Sequence, residues 1–130
     1  MAIDSHMHLN SSVLENVQKH IEDIIKNQTI RNVINVGLNI KTSKESTLTS
    51  IKNPKFYSAI GIHPLYTDQQ NIDYLYKLAY NDKVITIGKI GLDSSKDNFN
   101  EQKDYLKKWN NKSLHINIFK LMNIFVLFLF

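Results

Sequence analysis

A chain of 130 residues, 42% of them hydrophobic, can bury the core of one ordinary domain; with no cysteine it has neither disulfides nor thiolate metal sites. Its 16 lysines and arginines against 12 acidic residues leave a net charge of +4, which suits a phosphate-bearing partner without requiring one. No basic stretch followed by a long apolar run opens the chain, so no secretory leader is expected, and the missing cysteines suit a reducing, cytoplasmic setting.

The first predicted element is a short strand over Ala2-Ile3-Asp4-Ser5-His6-Met7-His8. Residues two apart on a strand point to the same side, with α-carbons roughly 6.5–7 Å apart. His6 and His8 can therefore reach one cation, and nitrogen–metal distances of about 2.0–2.1 Å suit zinc among other divalent ions. Ser12 and Glu15 have the spacing of a capping box, which predicts a helix from there. Val13, Val17, Ile21 and Ile25, with Leu14 and Ile24 beside them, give that helix an apolar stripe. His20 lies next to the stripe and reads as an ordinary helix histidine.

Val33-Ile34-Asn35-Val36-Gly37-Leu38 reads as a buried strand closed by glycine. Thr42 to Glu45 repeats the capping spacing and predicts a second, weaker helix to about Ile51, ended before Pro54. Phe56 to Ile60 is a third strand, running into Gly61-Ile62-His63-Pro64. A helical pattern over Asp68–Tyr80 places Ile72, Leu75 and Ala79 in the core. Val84 to Gly88 is a fourth strand, followed by Lys89-Ile90-Gly91-Leu92-Asp93. A last amphipathic helix from about Phe99 to Asn111 offers Phe99, Leu106 and Trp109 to the core. Strands alternating with helices predict a parallel α/β sheet, and in such folds functional groups sit at the strands' C-terminal ends. His6, His8, His63 and Lys89 all fall there.

Three blocks, Ile3-Asp4-Ser5-His6-Met7-His8, Gly61-Ile62-His63-Pro64 and Gly88-Lys89-Ile90-Gly91-Leu92-Asp93, together resemble the TatD family of metal-dependent deoxyribonucleases in order and spacing. The resemblance runs from residue 2 to about 109 and includes Asn100-Glu101-Gln102, where family members have a similar helix start. It implies a partial TIM-like (β/α) barrel of about four βα units over residues 1–113. It also implies a divalent metal (Mg²⁺, Mn²⁺ or Zn²⁺), DNA as partner, and metal-assisted hydrolysis of phosphodiester bonds. By position, His6 and His8 would be metal ligands, with His63 and Asp93 standing near the site.

The resemblance breaks at three places. Lys89 stands where the family has a ligating glutamate, and a positive charge about 4 Å from a dication at an effective dielectric near 20 opposes it by roughly 8 kcal/mol. A lysine carboxylated by carbon dioxide, as in the wider amidohydrolase superfamily, would reverse that penalty. The family's later ligands, two histidines and an aspartate, have no counterpart here, and His115 falls too early to serve as the first of them. Residues 114–130 form an apolar tail that does not match the family and is too interrupted for a membrane span. The expectation is a truncated, degenerate hydrolase that binds metal weakly and self-associates through open sheet edges. Two rival readings stand beside it. One is an active nuclease with carboxylated Lys89 and ligands from a partner chain; the other is a non-catalytic module binding nucleic acid through basic and aromatic side chains.

Overall fold

A computed structural model describes residues 1–10, 14–69, 71–88, 90–95 and 97–113. Four strands, β1 (Ala2–Met7), β2 (Ile30–Val36), β3 (Phe56–Ile60) and β4 (Val84–Ile87), form one sheet in the order β1-β2-β3-β4. Each pairing is parallel. Helices α1 (Val17–Lys26), α2 (Ile40–Lys52) and α3 (Ile72–Ala79) make the crossovers that parallel strands need, and α4 (Phe99–Ser113) follows β4. Spatial order follows chain order without a reversal, which is the winding of a (β/α) barrel rather than of a doubly wound sheet. The four βα units therefore make a partial barrel.

The core divides by face. On β2, Val33 packs with Leu9, Phe56 and the α1 residues Ile21 and Ile24, while the neighbouring positions Ile34 and Val36 join Ala59 in a separate cluster. Alternation along the strand places these two groups on opposite sides of the sheet. A third cluster joins Ile60, Ile62 and Val84 to Leu75 and Ala79 of α3 and to Tyr105 and Trp109 of α4.

Helix α2 packs differently. Its buried positions are Thr42, Ser43, Ser46, Thr47 and Ser50, none of them aliphatic. Small side chains let the helix lie close to the sheet: a Cβ on Gly37 would run into Ser43. The buried hydroxyls are satisfied there. Ser43 Oγ accepts from Gly61 N and donates to Gly61 O, both at 3.1 Å; Ser46 Oγ donates to Asn35 O at 2.6 Å and lies 2.7 Å from Ser58 Oγ.

Three helix starts differ from expectation, and each is set by an asparagine. Helix α1 begins at Val17, not at Ser12; Asn16 caps it from the left-handed region (φ 53°, ψ 50°), which asparagine tolerates. Helix α2 begins at Ile40 under Asn39, whose side chain accepts from Thr42 N at 2.9 Å while Thr42 Oγ1 accepts from Asn39 N at 3.0 Å. Thr42 is thus the inner half of the capping box rather than the cap. Asn71 caps α3, so the segment from Pro64 to Gln69 is a separate 3₁₀ turn and the helix starts at Ile72.

Two expected core residues are also displaced. Steps of four drift about 40° around a helix, so the α1 stripe turns from Val17 through Ile21 to Ile24, leaving Ile25 39% exposed. Phe99 is 37% exposed beneath the Lys103 ammonium, and Tyr105 occupies the core beside Trp109 in its place. Residues 114–130, Ser12, Val13 and Lys89 lie outside the described residues, so the apolar tail and His115 do too.

Candidate metal centre

The end of β1 is irregular in a way that serves the two histidines. Asp4 pairs with Val33 and Met7 with Asn35, so three steps on β1 oppose two on β2. The extra residue falls within Ser5–His6, and the Asp4 carboxylate accepts from the His6 backbone N–H at 3.0 Å across it. Bulges of this kind re-aim side chains beside functional sites. Here the rings meet edge to face, 4.9 Å between centroids, with His6 Nε2 and His8 Nε2 3.2 Å apart.

That separation fits a hydrogen bond between the rings and also fits two ligands on one ion. Two nitrogens held at 2.0–2.1 Å from one ion lie about 3.3–3.4 Å apart at a tetrahedral angle and about 2.8–3.0 Å apart at a right angle. The observed 3.2 Å falls between these limits. The proton on His8 is also fixed. Its Nδ1 lies 2.8 Å from the Val36 carbonyl oxygen, which can only accept, so Nδ1 carries the hydrogen and Nε2 presents a lone pair. His8 is half-buried and His6 exposed, so the pair opens to solvent.

His63 is oriented the other way. Its ring Nδ1 accepts from Leu65 N at 3.2 Å, which leaves the hydrogen on Nε2 and makes that edge a donor. Its backbone N–H donates to Leu38 O at 2.8 Å, just beyond β2, and its ring packs against Tyr66. The Asp93 carboxyl is held below the usual carboxylate range chiefly by hydrogen bonds from Ser95, with a smaller contribution from His63. The carboxylate accepts from Ser95 N at 2.9 Å, so it is turned into its own loop.

The backbone of Asp93 is held from outside the loop. Gln102, fully buried on α4, accepts from Asp93 N at 2.7 Å and donates to Asp93 O at 2.9 Å and to Asn98 Oδ1 at 2.6 Å. Asn98 in turn donates to Thr67 Oγ1 at 3.0 Å and to Pro64 O at 3.4 Å. The loop after β4 is thereby tied to the segment that carries His63.

One pair therefore emerges, His6 with His8; His63 and Asp93 each hydrogen-bond within their own loops. Among the described residues no group of three or more His, Asp or Glu side chains gathers within reach of one ion. Strands β1 and β4 are opposite edges of the sheet, three strand spacings or about 14 Å apart along it. Residues that sequence reasoning left without a role are Asn35, which binds Leu9 at both ends, and Asp4, which braces the bulge. A polar residue in the middle of Val33-Ile34-Asn35-Val36 was the available signal for the first, since a buried amide needs partners.

The winding of the sheet and the paired imidazoles at a strand's C-terminal end define a protein of the (β/α)-barrel class. The profile of the TatD related DNase family matches residues 3–116, and the chain belongs to that family. An uncharacterized metal-dependent hydrolase of Buchnera aphidicola subsp. Baizongia pistaciae is 33% identical over 106 residues, which are 77% of this chain and 40% of the relative. The uncharacterized metal-dependent hydrolase YabD of Bacillus subtilis is 25% identical over 96 residues, 72% of this chain and 38% of that protein. The chain thus spans about two fifths of the length of these curated relatives. The crystal structure of YjjV, a TatD homologue from Escherichia coli K12, superposes with a TM-score of 0.59 at 19% identity, over 83% of this chain and 47% of that one. Among the described residues no helix is long and apolar enough to cross a membrane.

Proposed function

We propose that this chain carries the first part of a TatD-type hydrolase site for DNA phosphodiesters, with His6 and His8 as the ligand pair for one divalent cation. The observation that carries the reading is the 3.2 Å approach of the two Nε2 atoms, with His8 locked by Val36 O into the tautomer that ligates. When bound, the cation supplies Lewis acidity for phosphodiester hydrolysis. His63 contributes a hydrogen-bond donor, its Nε2–H, suited to a phosphate oxygen, and lysines on the surface hold the nucleic-acid backbone. Two imidazoles are half of a zinc ligand set, and Lys89 brings positive charge to the position of the family's glutamate.

The expected behaviour is therefore weak binding without turnover. Calorimetric titration of the purified chain with Zn²⁺ or Mn²⁺ should show one site of about 10–100 μM affinity, abolished by His6→Ala or His8→Ala. Metal-dependent cleavage of DNA by the unaltered chain, lost in His6→Ala, would show that the ligand set is complete and overturn the weak-site reading. Binding that His6→Ala and His8→Ala leave intact would overturn the ligand pair itself.

A further inference from the structure

We infer that Asn35 is a positioning residue for His8, a clip that sets both the direction and the tautomer of the ring. It acts from β2, the strand that also supplies the ring's acceptor. Backbone pairing of β1 with β2 ends at Met7 and Asn35. Beyond that point the Asn35 side chain continues the ladder: its Oδ1 accepts from Leu9 N at 2.9 Å and its Nδ2 donates to Leu9 O at 3.3 Å. One amide thus holds both backbone groups of the residue that follows His8.

The clip is anchored and dry. Asn35 is 1% exposed and Leu9 3% exposed, and the Asn35 carbonyl accepts from Ser46 Oγ at 2.6 Å. Ser46 sits on α2 and meets Ser58 of β3. The chain of contacts runs from the helix layer through Asn35 to Leu9, and His8 lies between Leu9 and the last paired residue, Met7. With Leu9 fixed and Val36 next to Asn35 on the same strand, Asn35 sets the distance from His8 Nδ1 to Val36 O through its hold on Leu9 and its place beside Val36. A free ring of this kind would sample both tautomers; held on a carbonyl, it has one.

The inference rests on the ligand reading of His8, but the ring's state is readable without any metal. The test is long-range ¹H–¹⁵N correlation of the histidine rings in the metal-free chain, at a pH above the imidazole range. In the unaltered chain His8 should be the Nδ1–H tautomer and His63 the Nε2–H tautomer. Asn35→Leu, similar in size and unable to clip, should turn His8 into a mixture of tautomers while His63 is unchanged. Zinc affinity should fall by about 10–100-fold, the range for lost support of a ligand.

If His8 keeps its single tautomer in folded Asn35→Leu, the inference is wrong. If His8 and His63 both change, Asn35 acts on the whole fold rather than on His8, and it is wrong again. Should Asn35→Leu not fold, hydrogen exchange of the unaltered chain decides. The Leu9 amide should exchange at least 30-fold more slowly than an unstructured amide, and faster exchange would overturn the clip. Absence of zinc binding in the unaltered chain, with the tautomers as expected, would instead overturn only the ligand reading.

Discussion

The ends of β1 and β4 are built with the same device and put it to different use. At each, a buried amide side chain binds the N–H and C=O of a single residue: Asn35 holds Leu9, and Gln102 holds Asp93. At β1 the residue before the held one is His8, whose lone pair faces a second imidazole. At β4 the held residue spends its carboxylate on its own loop, through Ser95. A rigid backbone is therefore not enough to make a ligand. What separates the two ends is the partner each side chain takes: the Asp93 carboxylate is hydrogen-bonded within its own loop, while the two imidazoles at β1 face each other.

The largest effect should come from the seam between the ends of β3 and β4. Gly88 N donates to Ile60 O at 2.9 Å, and a Cβ on Gly61 would collide with the Gly88 carbonyl. Both parties are backbone, so neither can yield cheaply. Gly61→Ala should cost about 3 kcal/mol in urea denaturation, the upper range for overpacking. A loss below about 1 kcal/mol would mean that β4 can move away from β3 without penalty.

Next comes the β4 clip itself. Gln102→Leu strands the Asp93 N–H and C=O and should cost about 2–4 kcal/mol, as expected for buried groups left without partners. Zinc affinity should stay within about twofold, since the clip supports no ligand by the contrast drawn above. A fall in affinity comparable to that of a ligand variant would erase the distinction between the two ends.

A smaller effect separates the aromatic core by pH. Burial pushes the Tyr105 phenol well up from its ordinary value, and burial followed by the neighbouring Tyr80 raises Tyr76. The folded chain holds these protons more tightly than the unfolded chain. Stability is then fully present below the ordinary phenol value of about 10 and declines as pH rises past it. Tyr105→Phe should flatten that alkaline decline, measured as thermal midpoint against pH. An unchanged slope would place the titrating group elsewhere. The smallest change is local: Ser95→Ala should raise the Asp93 titration, read by carboxyl ¹³C shifts, without moving the His8 ring signals.

Much of this organisation was legible in the residues. The apolar strand runs and the spacing of Ile72, Leu75 and Ala79 were enough for four parallel βα units, because burial periodicity survives whatever the loops do. The His-x-His pair was legible as two imidazoles brought to one side of a strand end. The bulge that brings the rings together was not, since register depends on the partner strand. The first two helix starts were misplaced because Ser12 and Thr42 were weighed as caps where Asn16 and Asn39 do the capping, and the third because the pattern from Asp68 ran across the end of a 3₁₀ turn into a helix capped by Asn71. Helix α2 looked weak because its buried face is serine and threonine, and only the packing shows that small hydroxyls let it approach Gly37 and Gly61. The polar Asn35 in an apolar strand signals a buried amide that needs partners, but neither it nor Gln102 shows which partners those are, since they lie 26 and nine residues away in sequence.

The most direct measurement is X-ray absorption at the zinc edge on the loaded chain, compared with His6→Ala and His8→Ala. Two imidazole nitrogens at about 2.0–2.1 Å, falling to one in either variant, is the expected result. A first shell with no imidazole, or one that either substitution leaves unchanged, would contradict the pairing of His6 and His8 on a single ion.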